Sequence, residues 1–424
     1  MLYQPRAGFI VLSLLLFVPV GFSESADSSS LSLPKALANT LRFHPSLQAS
    51  DHRREASAAR VEQSSTFLNP RLEISAEEMG RDNQGLDQAS YEVILSQPLE
   101  SPALRKGRRL ESEAELTQRE YEHELRERQL LHETIVQYVD AAIASAEVML
   151  ARDSLDLANQ TLAAVQKRIE AGKAAPPQRD RVQITQAQAS LDLKIAQQNA
   201  RATHKRLSSM WGLPPESFHL PPDALSMDAI VQSESNGSKG DHPEVSSLEA
   251  AIRVGEAQVH LSQALVWPEL DLFAGWQHFE EDDTQSYIVG IQVPLPLWNR
   301  NRSSKQVAQF ETQARMADLQ AKRLELEADL TKALSAFENA LEQEQTFSSS
   351  MIPIAERHLN AVSISYREGR SGLLDFLDAN QLLLHLRSER LAARKELYLA
   401  LADLHYTTPL SFPPFQPQET PNAP

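Results

Sequence analysis

An internal duplication is the feature of this sequence that most constrains its fold. The dipeptide His44-Pro45 returns as His242-Pro243 at an offset of 198 residues, and Tyr91, in a strand-like segment, returns as Tyr287 at an offset of 196. Each copy has the pattern of a helix, two alternating strands, one very long helix, a glycine turn and a return helix. A repeat of this length duplicates a whole architecture, so we expect two similar halves in the folded chain.

The duplication divides the chain into five segments. The first has a basic start, an apolar run and small residues at its end, which is the layout of a secretory signal peptide. A membrane anchor is the alternative, although the run is shorter than the roughly 20 residues of a spanning helix. The segments are the signal peptide at 1–23, a first repeat at 24–213 with strands at about 70–98 and a helical hairpin at about 103–211, a connector at 214–240, a second repeat at 241–408 with strands at about 268–296 and a hairpin at about 304–406, and a proline-rich, disordered tail at 409–424.

Composition excludes several classes of protein. The chain has no cysteine, which excludes disulfides, thiolate metal sites, a cysteine nucleophile and a lipid anchor on cysteine. A formal net charge of −16 argues against a nucleic-acid partner, because phosphate binding needs a basic face. We find no Gly-x-Ser-x-Gly nucleophile motif and no metal-binding motif among the 12 histidines. The sequence therefore predicts a protein that is not an enzyme and has no cofactor or resident metal.

Heptad spacing dominates the middle of each repeat. In the first repeat, residues 103–171 contain no proline and only Gly107 near the start, so we expect one helix about 100 Å long. The second repeat has a similar pattern over 304–368, with a bend expected at Pro353. The apolar seam of the first helix consists of Val148, Ala151, Leu155, Ala158, Leu162, Val165 and Ile169.

Two short strands precede each long helix, and each strand has one apolar face. Segments of about ten residues with this alternation are typical of transmembrane barrel strands, in which the outer face meets lipid. A soluble hairpin would give the same pattern, and that alternative stays open on the strands alone. The predicted apolar faces are Leu72, Ile74 and Ala76; Tyr91, Val93 and Leu95; Leu270, Leu272, Ala274 and Trp276; and Tyr287, Val289, Ile291 and Val293.

Prolines and polar loops flank these strands. Pro98 and Pro102 in the first repeat, and Pro294 and Pro296 in the second, are expected to mark the junction between barrel strands and long helices. The loops between paired strands are polar at 78–85 and acidic at 280–283. The acidic loop could bind a divalent cation, but a solvated turn is the favoured interpretation.

Four places resemble the outer membrane efflux protein family, the TolC-like exit ducts of tripartite exporters. They are 33–37 with the following His44-Pro45, the junction 294–301, the segment 168–173 and the segment 366–379. The likeness covers nearly all of residues 31–408. It implies a mainly α fold with β, in which four strands per protomer join a shared twelve-stranded trimeric barrel and long helical hairpins form a periplasmic tunnel.

The resemblance also implies a location and partners. Such proteins lie in the outer membrane of Gram-negative cells, extend into the periplasm, and work passively as homotrimers with a membrane-fusion adaptor and an inner-membrane pump of the resistance-nodulation-division type. Residues 171–176 and 294–301 resemble the branch that serves heavy-metal cations. We therefore expect divalent metal cations as cargo. The alternatives are an exit duct for organic toxins and a soluble periplasmic coiled-coil adaptor or scaffold.

Two glycines end the long helices of the two repeats. Gly172 and Gly369 follow the last periodic residues, where a left-handed C-cap turn requires glycine. By resemblance these turns, with Lys173 and Arg370, form the periplasmic tip that meets the adaptor.

Three residues near the second tip are candidates for a constriction. Asp375 and Asp378 lie three residues apart and share a helical face, which alone indicates a solvated face or a favourable charge at a helix N-terminus. By resemblance they line the closed end of the tunnel, and Tyr366 falls where family members place a gating tyrosine. The alternative for Tyr366 is an exposed aromatic. The arginine that often follows the glycine by two residues is Ser371 here, so an identical gate bond is not expected.

Overall fold

The computed structural model describes residues 30–77, 90–212, 218–220, 225, 241–266, 269–280 and 282–408. The signal peptide at 1–23, the polar loop at 78–85 and the tail at 409–424 lie outside the described residues, as does most of the connector at 214–240.

The first repeat begins with two helices and continues into two strands and a helical hairpin. The unbroken 69-residue helix predicted for its centre is confirmed. The elements are α1 (Leu33–Phe43), α2 (Pro45–Ser65), β1 (Arg71–Glu77), β2 (Ser90–Leu99), α3 (Pro102–Glu170) and α4 (Pro177–Ser208).

The second repeat follows the same plan, but its long helix is interrupted. A π-helical turn at Phe347–Met351 precedes Pro353, which lacks the amide hydrogen that a regular helix would donate to Ser349. At the position of the expected bend, the helix changes type just before the proline. The elements are α5 (Pro243–Ala264), β3 (Leu270–Phe279), β4 (Thr284–Gln292), α6 (Arg302–Thr346), α7 (Ile352–Arg367) and α8 (Leu373–Thr407).

The four strands form one antiparallel sheet in the order β1-β2-β3-β4, so β1 and β4 are its edges. The two repeats meet at the centre, where Leu95 of β2 lies opposite Ala274 of β3. The register confirms the predicted apolar face, because Leu72 lies opposite Leu95 and Ala274 opposite Val289. This face is bare, with Val289 84% exposed. An exposed apolar sheet face needs a hydrophobic partner, which is what a barrel wall meets in a membrane.

The junction prolines lie at the helical end of the sheet. Pro98 is the penultimate residue of β2 and is buried, and Pro102 is the first residue of α3, where a missing amide hydrogen costs nothing. Pro294 and Pro296 follow the end of β4 and precede α6.

Helix α3 is the packing centre of the protomer. It packs against α1, α2, α4, α5 and α8. One 18-residue stretch of α3 is long and apolar enough to cross a membrane by length and composition, and 44% of that stretch is buried within the protein. Its buried side chains join those of α1 and α8 in the main core, which includes Leu130, Ile135, Tyr138, Val139, Tyr398 and Leu401.

A buried arginine closes the end of α8 inside this core region. Arg128 is 7% exposed, and its guanidinium donates to the carbonyls of His405, Tyr406 and Thr408. These carbonyls lie at the end of α8, where no helical amide can reach them. Burial lowers the pKa of Arg128, yet the three carbonyl acceptors keep the cation solvated by protein.

Two histidines begin equivalent helices in the two repeats, His44 before α2 and His242 before α5. His44 Nδ1 accepts from Ser46 N at 3.2 Å, and His242 Nδ1 accepts from Glu244 N at 3.2 Å. His242 Nε2 also donates to Tyr406 O at 2.9 Å. The acceptor role of Nδ1 requires the neutral ring in both histidines. Burial lowers the pKa of both histidines, which favours this uncharged form.

Candidate functional site at the hairpin tips

The turn that follows α3 has Schellman geometry. Gly172 has a φ of +70°, and its amide donates to Ile169 O at 2.9 Å. The next amide, of Lys173, donates to Arg168 O at 2.8 Å. These two bonds satisfy carbonyls at the end of α3, and the positive φ explains why the position is a glycine.

The turn after α7 repeats the same geometry. Gly369 has a φ of +77°, its amide donates to Tyr366 O at 3.1 Å, and Arg370 N donates to Ser365 O at 2.8 Å. The prediction of two C-cap glycines is confirmed. Lys173 and Arg370 are both exposed beside the turns, and the Arg370 side chain pairs with Glu368. Their contact with an adaptor stays a prediction.

A small apolar cluster joins the two hairpins at this end. Val165 of α3 and Val182 of α4 are fully buried against Tyr366 of α7 and Leu373 of α8. Partly buried side chains extend the cluster: Leu162, Ile169, Phe376 and Leu377. The first and second repeats therefore pack as one unit at the tip within the protomer.

Tyr366 lies at the centre of this cluster. Its ring stacks on Phe376 with centroids 5.4 Å apart, and it is only 8% exposed, so the alternative of an exposed aromatic is wrong. Packing on α8 rather than its position near a helix end decides its burial. Its hydroxyl is buried and has no hydrogen-bond partner within the described ranges. Whether Tyr366 gates a tunnel stays a prediction.

Arg168 fastens the first repeat to the second at Tyr366. Its guanidinium lies over the Tyr366 ring, 4.5 Å from the centroid, and Nη1 donates to Tyr366 O at 3.2 Å. No pattern in the sequence assigned a role to Arg168. The signal that could have found it is its place beside the seam residues Val165 and Ile169, where long charged side chains cover a coiled-coil interface.

Asp375 and Asp378 lie exposed on the first turns of α8. Asp375 Oδ2 accepts from Gly372 N at 2.9 Å, so this carboxylate closes the helix N-terminus. Asp375 therefore has the role at a helix N-terminus that the sequence indicated as an alternative. Asp378 forms no ion pair with any residue that the structure describes.

The two carboxylates line one groove of about 550 Å³ between α7 and α8. His358 and Ser365 of α7 lie on the opposite wall, and Ser371 lies at the turn. Two carboxylates in one groove beside the turn give it a negative potential, which attracts cations. A role in cation selection stays a prediction at this point.

The acidic loop at 280–283 has a different arrangement. Glu280 and Asp283 carboxylates lie 3.7 Å and 3.9 Å from His278 Nε2, and Glu281 lies outside the described residues. Across the described ranges no group of three His, Asp or Glu side chains is placed to hold a metal ion. Divalent-cation binding in this loop is therefore not supported by the described residues.

A profile of the outer membrane efflux protein family matches residues 36–213 and 237–407, one span for each repeat. The chain belongs to this family. The resemblance drawn from the sequence is confirmed.

Two relatives carry heavy-metal names. The cobalt-zinc-cadmium resistance protein CzcC of Cupriavidus metallidurans is 26% identical over 63% of this chain and 65% of its own length. The nickel-cobalt-cadmium resistance protein NccC of Alcaligenes xylosoxydans xylosoxydans is 28% identical over 76% of this chain and 73% of its own length. The predicted likeness to the heavy-metal branch is confirmed by these similarities.

A solved structure shows the same fold. A crystal structure of CusC, described for transmembrane channel formation, superposes with a TM-score of 0.75 over 89% of this chain and 92% of that chain, at 15% identity. The fold is the duplicated TolC-like fold, with long helical hairpins and one four-stranded sheet.

Proposed function

We propose that the protein is the trimeric outer-membrane exit duct of a tripartite efflux system and that it passively passes divalent heavy-metal cations. The observation that carries this proposal is a four-stranded sheet with a bare apolar face, continuous with helical hairpins about 100 Å long, in a chain of the outer membrane efflux family. A soluble scaffold would leave that apolar face in water.

The sheet edges support a trimer. β1 and β4 each pair with one neighbour only within the protomer, and unpaired edges do not occur inside a membrane. If β4 of one protomer pairs with β1 of the next, three copies close a twelve-stranded barrel. Closure then pairs the backbone N–H and C=O groups of every strand.

The helical layer has matching open flanks. α3 packs on α4 and α8, and α8 packs on α6 and α7, so α4 lies at one flank and α6 with α7 at the other. Apolar side chains are exposed on both flanks: Ile184, Leu191 and Ile195 on α4, and Leu324, Leu334 and Ile354 on α6 and α7. Threefold assembly would bury each flank against the other.

Charge supports cations as the cargo. On the sheet face opposite the apolar one, the described strands carry four acidic residues, Glu73, Glu77, Glu92 and Asp271, and one basic residue, Arg71. At the tip, three copies of Asp375 and Asp378 would form a ring of six carboxylates. Both features attract cations and repel anions. The names of the relatives CzcC and NccC point to divalent metals among cations.

The tip residues also suggest how partners act. The exposed turns at Gly172 with Lys173 and at Gly369 with Arg370 are the surface that a periplasmic adaptor would grasp. Separating the hairpins there would break the Arg168 contact with Tyr366 and widen the carboxylate ring. An inner-membrane pump of the resistance-nodulation-division type would supply the energy.

Single-channel recording tests the carboxylate ring. Asp375→Asn with Asp378→Asn removes the charge and keeps an oxygen that can accept from Gly372 N. We expect trimers to persist while the cation-to-anion permeability ratio falls by about tenfold. The matched control is Asp153→Asn with Asp156→Asn, a pair with the same spacing on α3. Equal permeability ratios in the two double variants would refute the constriction.

Metal tolerance tests the cargo. Cells that express the full chain with a heavy-metal pump and adaptor should survive higher cobalt, zinc and cadmium concentrations than cells without it. Protection against organic toxins with no change in metal tolerance would favour the organic-toxin duct instead.

A further inference from the structure

The segment between β4 and α6 exposes large apolar side chains next to arginines. Trp298 is 92% exposed, Leu295 is 71% exposed and Leu297 is 60% exposed. Neither the constriction nor the hairpin packing uses these residues. Such a cluster is a candidate interaction surface.

Hydrogen bonds fix the backbone of this segment. Leu297 N donates to Leu295 O at 2.9 Å, and Asn301 N donates to the side chain of Asn299 at 3.0 Å. Asn301 Nδ2 donates to Ser262 O of α5 at 3.1 Å. The fold therefore holds Trp298 outward between two turns.

The segment lies where the apolar band of the sheet ends. Tyr287, Val289 and Ile291 of β4 are exposed on the apolar face, and β4 ends at Gln292. A tryptophan just beyond the apolar band lies at the level where hydrocarbon gives way to lipid headgroups.

Positive charge accompanies the apolar cluster. Arg300, Arg302 and Lys305 follow Trp298, and no acidic residue occurs between Asp283 and Glu311, although the chain has a net charge of −16. Within the part of the chain that the structure describes, these three side chains form no ion pair. The N-terminus of α6 also has no acidic residue in its first turn, so its dipole adds to the positive potential.

A second patch of the same kind lies at the same end of the sheet in the first repeat. Phe67, which precedes β1, is 75% exposed, and the guanidinium of Arg105 lies 4.4 Å from its ring centroid. Lys106 is exposed beside it. In the proposed trimer the β4 edge of one protomer meets the β1 edge of the next, so two basic patches would adjoin. Because both patches are basic, neither can neutralise the charge of the other.

We propose that residues 293–305 bind anionic phospholipid headgroups in the leaflet on the helical side of the sheet, with Trp298, Leu295 and Leu297 in the acyl region. The basic side chains of residues 300, 302 and 305, together with Arg105 and Lys106 of the adjacent protomer, hold the phosphates. This inference rests on the proposed trimer and goes beyond it, because it assigns a lipid partner to the protomer boundary.

Lipid retention by the purified trimer tests the basic residues. The charge-neutral variant combines Arg300→Gln, Arg302→Gln and Lys305→Gln. The control combines Arg181→Gln, Lys194→Gln and Arg201→Gln on α4, which remove the same charge from exposed positions far from the sheet. In nanodiscs of phosphatidylethanolamine with phosphatidylglycerol, native mass spectrometry should show about tenfold weaker phosphatidylglycerol retention for the first variant only. Equal retention in both variants would overturn the proposal.

Bromine quenching tests the apolar residues independently. The difference in fluorescence between the wild type and Trp298→Phe isolates Trp298, and acyl-brominated phosphatidylglycerol should quench that difference signal. An unquenched signal would mean that a neighbouring copy of the chain covers Trp298, which contradicts the proposal.

The same samples separate this inference from the proposed function. Heat-sensitive trimers that conduct ions but retain no phosphatidylglycerol would refute the lipid site alone. Absence of trimers in the wild type would refute the duct.

Discussion

The two hairpin tips share one backbone geometry and differ in the side chains before the turn. Both turns are Schellman motifs with a glycine at positive φ. At equivalent positions the first tip has Arg168 and Ile169, whereas the second has Ser365 and Tyr366. Duplication supplied two identical turns, and divergence supplied a contact between them, because Arg168 of one repeat lies over Tyr366 of the other.

The long helices of the two repeats also differ. α3 runs unbroken for 69 residues through the centre of the protomer, whereas its counterpart is divided by a π turn before Pro353 and buries few side chains. A helix packed on several sides resists bending, and a π turn is a common site of functional bending. The first hairpin is therefore the more extensively packed of the two, and the second contains the kind of turn at which helices commonly bend.

The largest effect on stability should come from replacing the glycine that both tip turns share. Gly172→Val and Gly369→Val should each cost about 1–2 kcal/mol, because a β-branched residue is strained at these positive φ values. An added Cβ meets no atom within 4 Å at either position, so the strain is purely conformational. Thermal unfolding of the two variants should give similar losses.

Asparagine is the matched control for both glycines, since it tolerates the left-handed conformation better than valine. Gly172→Asn and Gly369→Asn should recover most of the lost stability. Equal losses for asparagine and valine would contradict the conformational explanation.

A smaller effect on stability is expected from removing the contact between Arg168 and Tyr366, whose side chains differ between the tips. Arg168→Met keeps the aliphatic stem and removes the cation-π contact and the bond to Tyr366 O, at a cost of about 1 kcal/mol. We expect longer open times in single-channel recordings. Arg179→Met, at an exposed position near the start of α4, is the control. Identical open times in the two variants would show that Arg168 does not hold the tips together.

The histidines that begin α2 and α5 allow the two repeats to be compared through the pH dependence of stability. Burial lowers the pKa of both below the ordinary value of 6.5, so the unfolded chain binds more protons. The stability that the two neutral rings contribute is complete above about pH 6.5. It is lost as the pH falls through the lowered pKa that each histidine has in the folded chain. His242 is buried, at 6% exposed, whereas His44 is only partly buried, so the loss should be larger for His242 even though its bond to Tyr406 O opposes the effect of burial.

Asparagine substitutions isolate these two contributions, because asparagine can begin a helix and does not titrate. Denaturant titrations at pH 7.5 and pH 5 should show that His242→Asn removes more of the acid sensitivity than His44→Asn. The opposite ranking would contradict the assignment of the two protonation states.

The smallest effect should come from the Tyr366 hydroxyl. Tyr366→Phe keeps the stacking on Phe376 and removes a buried hydroxyl that has no partner within the described residues, so stability should change by about 0.5 kcal/mol or less. Thermal unfolding measures this. A loss above about 2 kcal/mol would mean that the hydroxyl forms a bond in the assembled protein.

Much of this fold could be predicted because local rules determine it. Alternation with a period of two predicted the apolar face that carries Leu72 and Val289, and the end of each heptad pattern predicted the glycine turns. The long helix α3 followed from the absence of proline between Pro102 and Gly172, where Gly107 near the start is the one glycine.

The remaining features depend on contacts between distant segments. The pairing of β2 with β3 joins residues about 180 positions apart, and no local pattern selects that neighbour. Nothing in the sequence distinguishes Arg128 from the other charged residues of α3, yet its guanidinium donates to carbonyls at the end of α8. The burial of Tyr366 likewise depends on Arg168 and Phe376, which come from two other helices.

The central claim is that three copies close one barrel above a narrow tip. Unheated gel mobility together with single-channel conductance of the protein extracted from outer membranes tests it most directly. We predict a trimer that dissociates on heating and a small, cation-selective conductance. A water-soluble monomer with no conductance would contradict the account.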